Sequence, residues 1–290
     1  MRILTAVATI FAMTFLLTTN TYAAETQVFT FTAIPDEDES RLVERFSKIA
    51  TYLEEKLGRE VRYLPVKSYA AAITAFRNKQ VQLAWFGGLS GVQARIQVPG
   101  SQALAQGFED QFFKTYIIAH HSTGLKPSKA FPVGIKDFTF TFGSKGSTSG
   151  RLMPEYYIRK HYGKAPDKLF PRVGFSGDHS MTIAQVQAGA YQVGAVNYLV
   201  WETELAAGKI DPKKLNVIWE IPNYPDYQWT IRGDVDKDYG EGFTQQVRAA
   251  LLNMSDVELL AAFPRKSFVP ADNSDYEAIE KTARAIGLIQ

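Results

Sequence analysis

Short apolar runs alternate along this chain with stretches whose apolar residues recur at helical spacing, and this alternation constrains the fold more than any other feature. Residues 28–33 read as a strand. Leu42, Val43, Phe46, Ile49, Ala50, Leu53 and Leu57 then share one helical face, which Gly58 ends. Residues 61–66 predict a second strand, Ser68 caps a helix over 69–78, and 81–86 predict a third strand ending at Gly87 and Gly88. Strands alternating with helices dictate a largely parallel α/β sheet, whose ligands sit beyond the carboxyl ends of its strands. After a strand at 115–119 and a loop-rich passage, a second α/β stretch runs from 138 to about 221, with a short helix at 181–188 and a strand at 192–198. The tail is helical, with Ser274 and Glu277 as a capping box. No repeat or flexible linker intervenes. The expected architecture is therefore α/β with two lobes and a ligand cleft between them: residues 24–116 with 226–290 form one lobe, and 117–225 the other. The crossings fall near 112–116 and 219–229.

Compartment follows from the first residues. One charge at Arg2 precedes an apolar run of about 15 residues, and Thr21-Tyr22-Ala23 reads as a small-x-small cleavage signal, so residues 1–23 are expected to be a secretory signal peptide. The run falls short of the ~20 residues that span a bilayer. The chain has no cysteine. An exported protein of this kind has no disulfides, no lipidated cysteine at the cleavage site, and a stability resting on core burial. A soluble, monomeric periplasmic protein is the expectation. The net charge of +2 comes without a cluster of Lys and Arg, which argues against nucleic acid as partner.

One segment carries chemistry. The alternating run 138–142 stops at Gly143, passes through Ser144-Lys145-Gly146-Ser147-Thr148-Ser149-Gly150, and opens a helix expected at 151–161. Hydroxyl donors, free backbone N–H groups and the positive end of a helix dipole together suit an oxyanion. Ser147, Thr148 and Ser149 would equally suit an ordinary helix cap. Pro154 favours binding, because a missing N–H near the helix start leaves the first turn loose.

Five motifs resemble the phosphonate- and phosphite-binding periplasmic proteins of ABC importers. They are Lys67-Ser-Tyr69-Ala-Ala-Ala-Ile-Thr-Ala-Phe76, Leu83-Ala-Trp85-Phe-Gly-Gly88, Phe142 to Gly150, Phe175-Ser-Gly-Asp178-His179 and Val193-Gly-Ala-Val-Asn197. Within that family the run from Trp85 to Arg95 resembles a subgroup of phosphite or selenate binders. The resemblance implies a type II periplasmic binding fold that closes like a hinge. It implies that Ser147, Thr148 and Ser149 wrap the oxyanion and that Tyr69 and the Asp178-His179 loop complete the pocket. It also implies an ABC permease and ATPase as partners. Two positions depart from the pattern. Gly91 stands where many relatives carry tyrosine, and Asn197 where many carry aspartate. An asparagine removes one repulsive charge and can donate as well as accept, which shifts preference towards a small bare anion.

The remaining candidates each have two readings. Tyr69 is a donor across the cleft or a packed rim residue. Trp85, at a strand end, is core or faces the ligand. His179 is read as an anion donor through a ring N–H, and Asp178 as an acceptor or as the residue that fixes its loop. Adjacent residues such as Asp178, His179 and Ser180 do not form a catalytic relay. Lys145 and Arg151 read as solvated charge, the acidic run 36–39 as a complement to a helix N-terminus, and Tyr224, Tyr227 and Trp229 as hinge packing. No metal-ligand spacing and no cofactor motif is present. The expected function is capture of a tetrahedral oxyanion, phosphite first, then alkyl-phosphonate, phosphate or selenate. An exported phosphate-ester hydrolase and a ligand-sensing partner of a membrane receptor are the alternatives.

Overall fold

The structure is a computed structural model and describes residues 27–290; the expected signal peptide lies outside the described residues. Two sheets share one plan. In the first, β2 (Val61–Tyr63), β1 (Phe29–Ala33) and β3 (Leu83–Phe86) run parallel, and β10 (Gln228–Ile231) is antiparallel between β3 and β4 (Gln102–Gly107), with β11 (Phe268–Pro270) on the far edge. In the second, β7 (Val173–Phe175), β6 (Phe140–Phe142) and β8 (Val193–Asn197) are parallel. There β5 (Thr115–His120) lies antiparallel between β8 and β9 (Leu215–Glu220). Each sheet thus has three parallel strands and then an antiparallel one, β10 or β5, that is the first strand after a crossing between the lobes.

Helices α1 (Glu39–Leu57), α2 (Tyr69–Arg77) and α3 (Gly88–Gln97) belong to the first lobe, and α4 (Met153–Tyr162), α5 (His179–Gln187) and α6 (Tyr198–Ala206) to the second. Helices α7 (Val235–Tyr239), α8 (Phe243–Leu252), α9 (Val257–Ala262) and α10 (Glu277–Ala285) return to the first lobe, where α10 packs on α3 and α8 on α1. Helix α1 forms as its spacing predicts. Asp38 caps it by accepting from Ser40 and Arg41 N–H, Gly58 stops it in the left-handed region, and Leu42, Phe46, Ile49, Leu53 and Leu57 are buried. Val43, expected on that face, is exposed.

The first core is aromatic: Phe31, Phe46, Trp85, Trp229 and Phe263 meet mostly edge to face. Each such buried side chain contributes about 1.5–3 kcal/mol in apolar area, which a chain without disulfides needs. Crossing segments between Gly107 and Thr115 and between Glu220 and Gln228 bind each other, with Phe113 and Tyr224 exchanging both backbone bonds and Asp226 N–H donating to Asp110 C=O. The tail helix is capped differently from expectation. Asp272 and Asp275 make the box, three-residue spacing retained but two residues earlier, because a short turn at Asn273–Tyr276 precedes α10.

Candidate functional site

The loop after β6 is built by its own sequence. Gly143 N–H donates to Gly150 C=O at 2.9 Å, which closes the loop at its base. Ser147 caps the turn after it, its Oγ accepting from Gly150 N–H at 2.9 Å. Helical backbone begins at Thr148, not at Arg151 as expected, and its first turn is over-wide: Leu152 N–H reaches back five residues to Ser147 C=O, and Met153 N–H to Thr148 C=O. Pro154, with no N–H, sits at the junction where this π-type turn becomes α4. The first N–H groups of such a turn, those of Thr148 and Ser149, have no acceptor within the helix, and they carry its positive end. All three hydroxyl residues are buried.

The first lobe meets this loop directly. Thr148 Oγ1 accepts from Leu89 N–H at 3.0 Å, and Asp226 Oδ1 accepts from Gly88 N–H at 2.8 Å, so two side chains from elsewhere serve the uncapped start of α3. Tyr69 lies against Gly146, and its buried hydroxyl has no hydrogen-bond partner among the described residues. Asp226 Oδ2 is likewise buried and unpartnered. Buried polar atoms are normally satisfied, so these two groups, beside the Ser147 and Thr148 hydroxyls of the loop, are candidates for contact with a polar ligand.

His179 completes this wall. It is fully buried at the start of α5, beside Gly143 and Gly150, where a Cβ on Gly150 would come within 3.0 Å of its Cε1. Asn197 N–H donates to its Nδ1 at 3.3 Å, so the proton resides on Nε2, 3.4 Å from Ser149 Oγ. Burial lowers its pKa to about 3, and the ring is a neutral donor at physiological pH. Burial acts oppositely on Asp226, raising it to about 7 against the opposing pull of the Thr148 hydroxyl and Gly88 N–H. The arrangement offers several donors and one carboxyl that holds or releases a proton near neutrality. An oxyanion still carrying one proton fits that inventory.

Asp226 is absent from the sequence-based candidates. Its only signal was a lone acid among the proline and tyrosine residues of the return crossing. The other candidates divide between helix caps, core and surface. Asp178 Oδ1 caps α5 through Met181 N–H, while its side chain lines the cleft mouth. Asn197 caps α6 with Oδ1 and gives one Nδ2 N–H to Tyr227. Trp85 is buried, stacked on Tyr227 and edged by Phe263 and Phe268. Arg151 is turned away from the loop, paired with buried Glu155 and lying over Phe175, which Lys145 also covers. Trp229 is core, and Tyr224 and Tyr227 sit at the crossing. At Gly91 a Cβ would come 2.4 Å from Gln228 Nε2, because Gln228, held by Arg95, fills the room a side chain would need. The acidic run divides: Asp38 caps, whereas Asp36 and Glu37 turn inward, Glu37 pairing with Arg41 and Arg45.

Two sheets, each with an antiparallel strand that follows a crossing, and a polar cleft between them define a type II periplasmic binding fold. The chain belongs to the family of periplasmic substrate-binding proteins of ABC phosphonate transporters, which it matches over residues 31–276. A relative from Prochlorococcus marinus, named probable ABC transporter phosphite binding protein PhnD1, is 39% identical over 265 residues, covering 89% of each chain. The structure of PhnD1 from that organism in complex with methylphosphonate superposes with a TM-score of 0.85, covering 90% of this chain and 99% of that one. A binding protein component of a Pseudomonas aeruginosa ABC phosphonate transporter, 21% identical, has a TM-score of 0.77 over 89% of this chain and 86% of its own and shares the fold.

Proposed function

We propose that this protein captures a small, singly protonated phosphorus oxyanion, phosphite first and then alkyl-phosphonate or phosphate, and delivers it to an ABC permease and ATPase. The observation that carries the choice is Asp226, whose buried Oδ2 has no hydrogen-bond partner and whose other oxygen is held at Gly88, beside Thr148 of the loop. A ligand P–O–H can donate to that carboxylate, whereas sulfate and selenate have no proton to give at neutral pH. Ser147, Thr148, Ser149, Tyr69 and His179 supply the donors; Asn197 and Asp178 hold the helix starts around them, and Trp85 backs the wall. The named ligands of the 39% identical relatives support the same class. Burial of the loop between lobes supports capture by closure, with residues 24–116 and 226–290 moving against 117–225. Export through residues 1–23 without lipidation gives a free periplasmic monomer.

This reading includes no turnover. A hydrolase that used Ser149 as nucleophile would need His179 to take its proton, yet Nδ1 accepts from a backbone N–H and Nε2 therefore already carries one. A thermal-shift panel tests the proposal. At a hundred times its dissociation constant, phosphite should stabilise the mature protein by about 2.7 kcal/mol, while sulfate and selenate should not shift it. No shift with any phosphorus oxyanion would sink the assignment.

A further inference from the structure

Four buried residues close a ring of hydrogen bonds across the cleft. His179 N–H donates to Asp36 C=O at 2.9 Å. Asp36 Oδ2 accepts from the Tyr227 hydroxyl at 2.7 Å, and that hydroxyl accepts from Asn197 Nδ2 at 3.1 Å. Asn197 N–H returns to His179 Nδ1 at 3.3 Å. Asp36 and Tyr227 belong to the first lobe, following β1 and preceding β10; His179 and Asn197 belong to the second, at the start of α5 and the end of β8. Two bonds are internal to a lobe and two cross, so the ring exists only when the lobes meet. All four residues are at most 5% exposed.

We infer that Asp36 and Tyr227 are positioning residues: without touching the ligand, they join lobe closure to the placement of the His179 Nε2–H donor at the Ser147–Ser149 loop. The inference rests on the oxyanion reading of that loop. Closing brings the Asp36 carbonyl to the first N–H of α5 and Tyr227 to the Asn197 side chain, and Asn197 N–H in turn fixes the imidazole. Each of the four bonds pairs a donor with an acceptor inside the closed cleft. Parting the lobes exposes the Asp36 carbonyl and the Tyr227 hydroxyl to water, which satisfies them less specifically.

A pH signature separates this role from packing. Burial, with Glu37 beside it, raises the Asp36 pKa to about 6, against Arg45 of α1, the Tyr227 hydroxyl and Arg265 after α9; Tyr63 and Tyr69 also face it. Closure that buries this carboxylate takes up a proton where an open carboxylate near 3.8 would not, so closing becomes easier as pH falls. Between pH 7 and 5 this linkage is worth at most about tenfold in affinity.

The experiment is calorimetric titration of phosphite into the wild type, Tyr227→Phe, Asp36→Ala and Asp36→Asn at pH 7 and 5, with ligand-free melting as the folding control. Tyr227→Phe and Asp36→Ala should bind roughly tenfold more weakly. Asp36→Asn, which keeps an acceptor for Tyr227, should recover most of that loss and lack the extra gain at pH 5 that the wild type shows. Wild-type affinity in folded Tyr227→Phe, or the same pH response in Asp36→Asn as in the wild type, would overturn the ring. No phosphite binding by the wild type would instead remove the oxyanion reading beneath it.

Discussion

At the scale of single residues, the site is governed by what burial does to three ionisable groups. His179 is held neutral, and Asp36 and Asp226 are pushed towards neutrality, because a closed cleft disfavours every isolated charge. Asp226 gives a stability prediction with a definite sign. Its pKa rises from 3.8 unfolded to about 7 folded, so the folded state keeps a proton that the unfolded state releases. Ligand-free stability should therefore fall as pH rises from about 4 to 7, by a few kcal/mol at most. Asp226→Asn should melt higher than the wild type at pH 8, converge with it near pH 4, and bind phosphite more weakly. Parallel melting curves at both pH values would contradict the assignment. Residue type and order made Ser147, Thr148, Ser149, Tyr69 and His179 legible as candidates. Asp226 was not, because what marks it is an orphaned oxygen created by packing from two lobes.

At the scale of elements, the decisive piece is the over-wide turn at Thr148–Leu152. The missing N–H of Pro154 was readable as a loosened helix start, but the five-residue reach of the turn depends on Gly150 C=O being taken by Gly143. Pro154→Ala restores an N–H and allows a regular first turn. The variant should keep its melting temperature within a few degrees, since proline in a first helical turn costs little. It should lose phosphite affinity as the loop N–H groups re-aim; unchanged affinity would show that the wide turn does not shape the site. Helix α3 escaped the sequence reading for a related reason. Gly88, Ser90 and Gly91 are poor helix formers, and the helix stands because its start is served by Asp226 and Thr148 and its glycine face admits Gln228. Strands β4, β9, β10 and β11 were equally hidden, whereas β5, antiparallel as well, showed as an apolar run.

At the scale of the whole molecule, the alternation of strand and helix was enough to give two α/β lobes, and the aromatic crossings marked where they join. The pairing of those crossings with each other, and the buried Asp110–Arg265 ion pair beside them, are long-range facts that no window of sequence contains. The central claim is that an anion held by the second lobe's loop draws the first lobe onto it. With no native cysteine, one pair of labels reads that motion directly. Lys67 and Met181, exposed on opposite lips of a cleft-mouth cavity of about 600 Å³, are suitable sites. The distance between spin labels on Lys67→Cys and Met181→Cys should shorten and narrow in distribution as phosphite is added, and stay unchanged with sulfate. A distance that does not respond to phosphite while phosphite binds would contradict capture by closure.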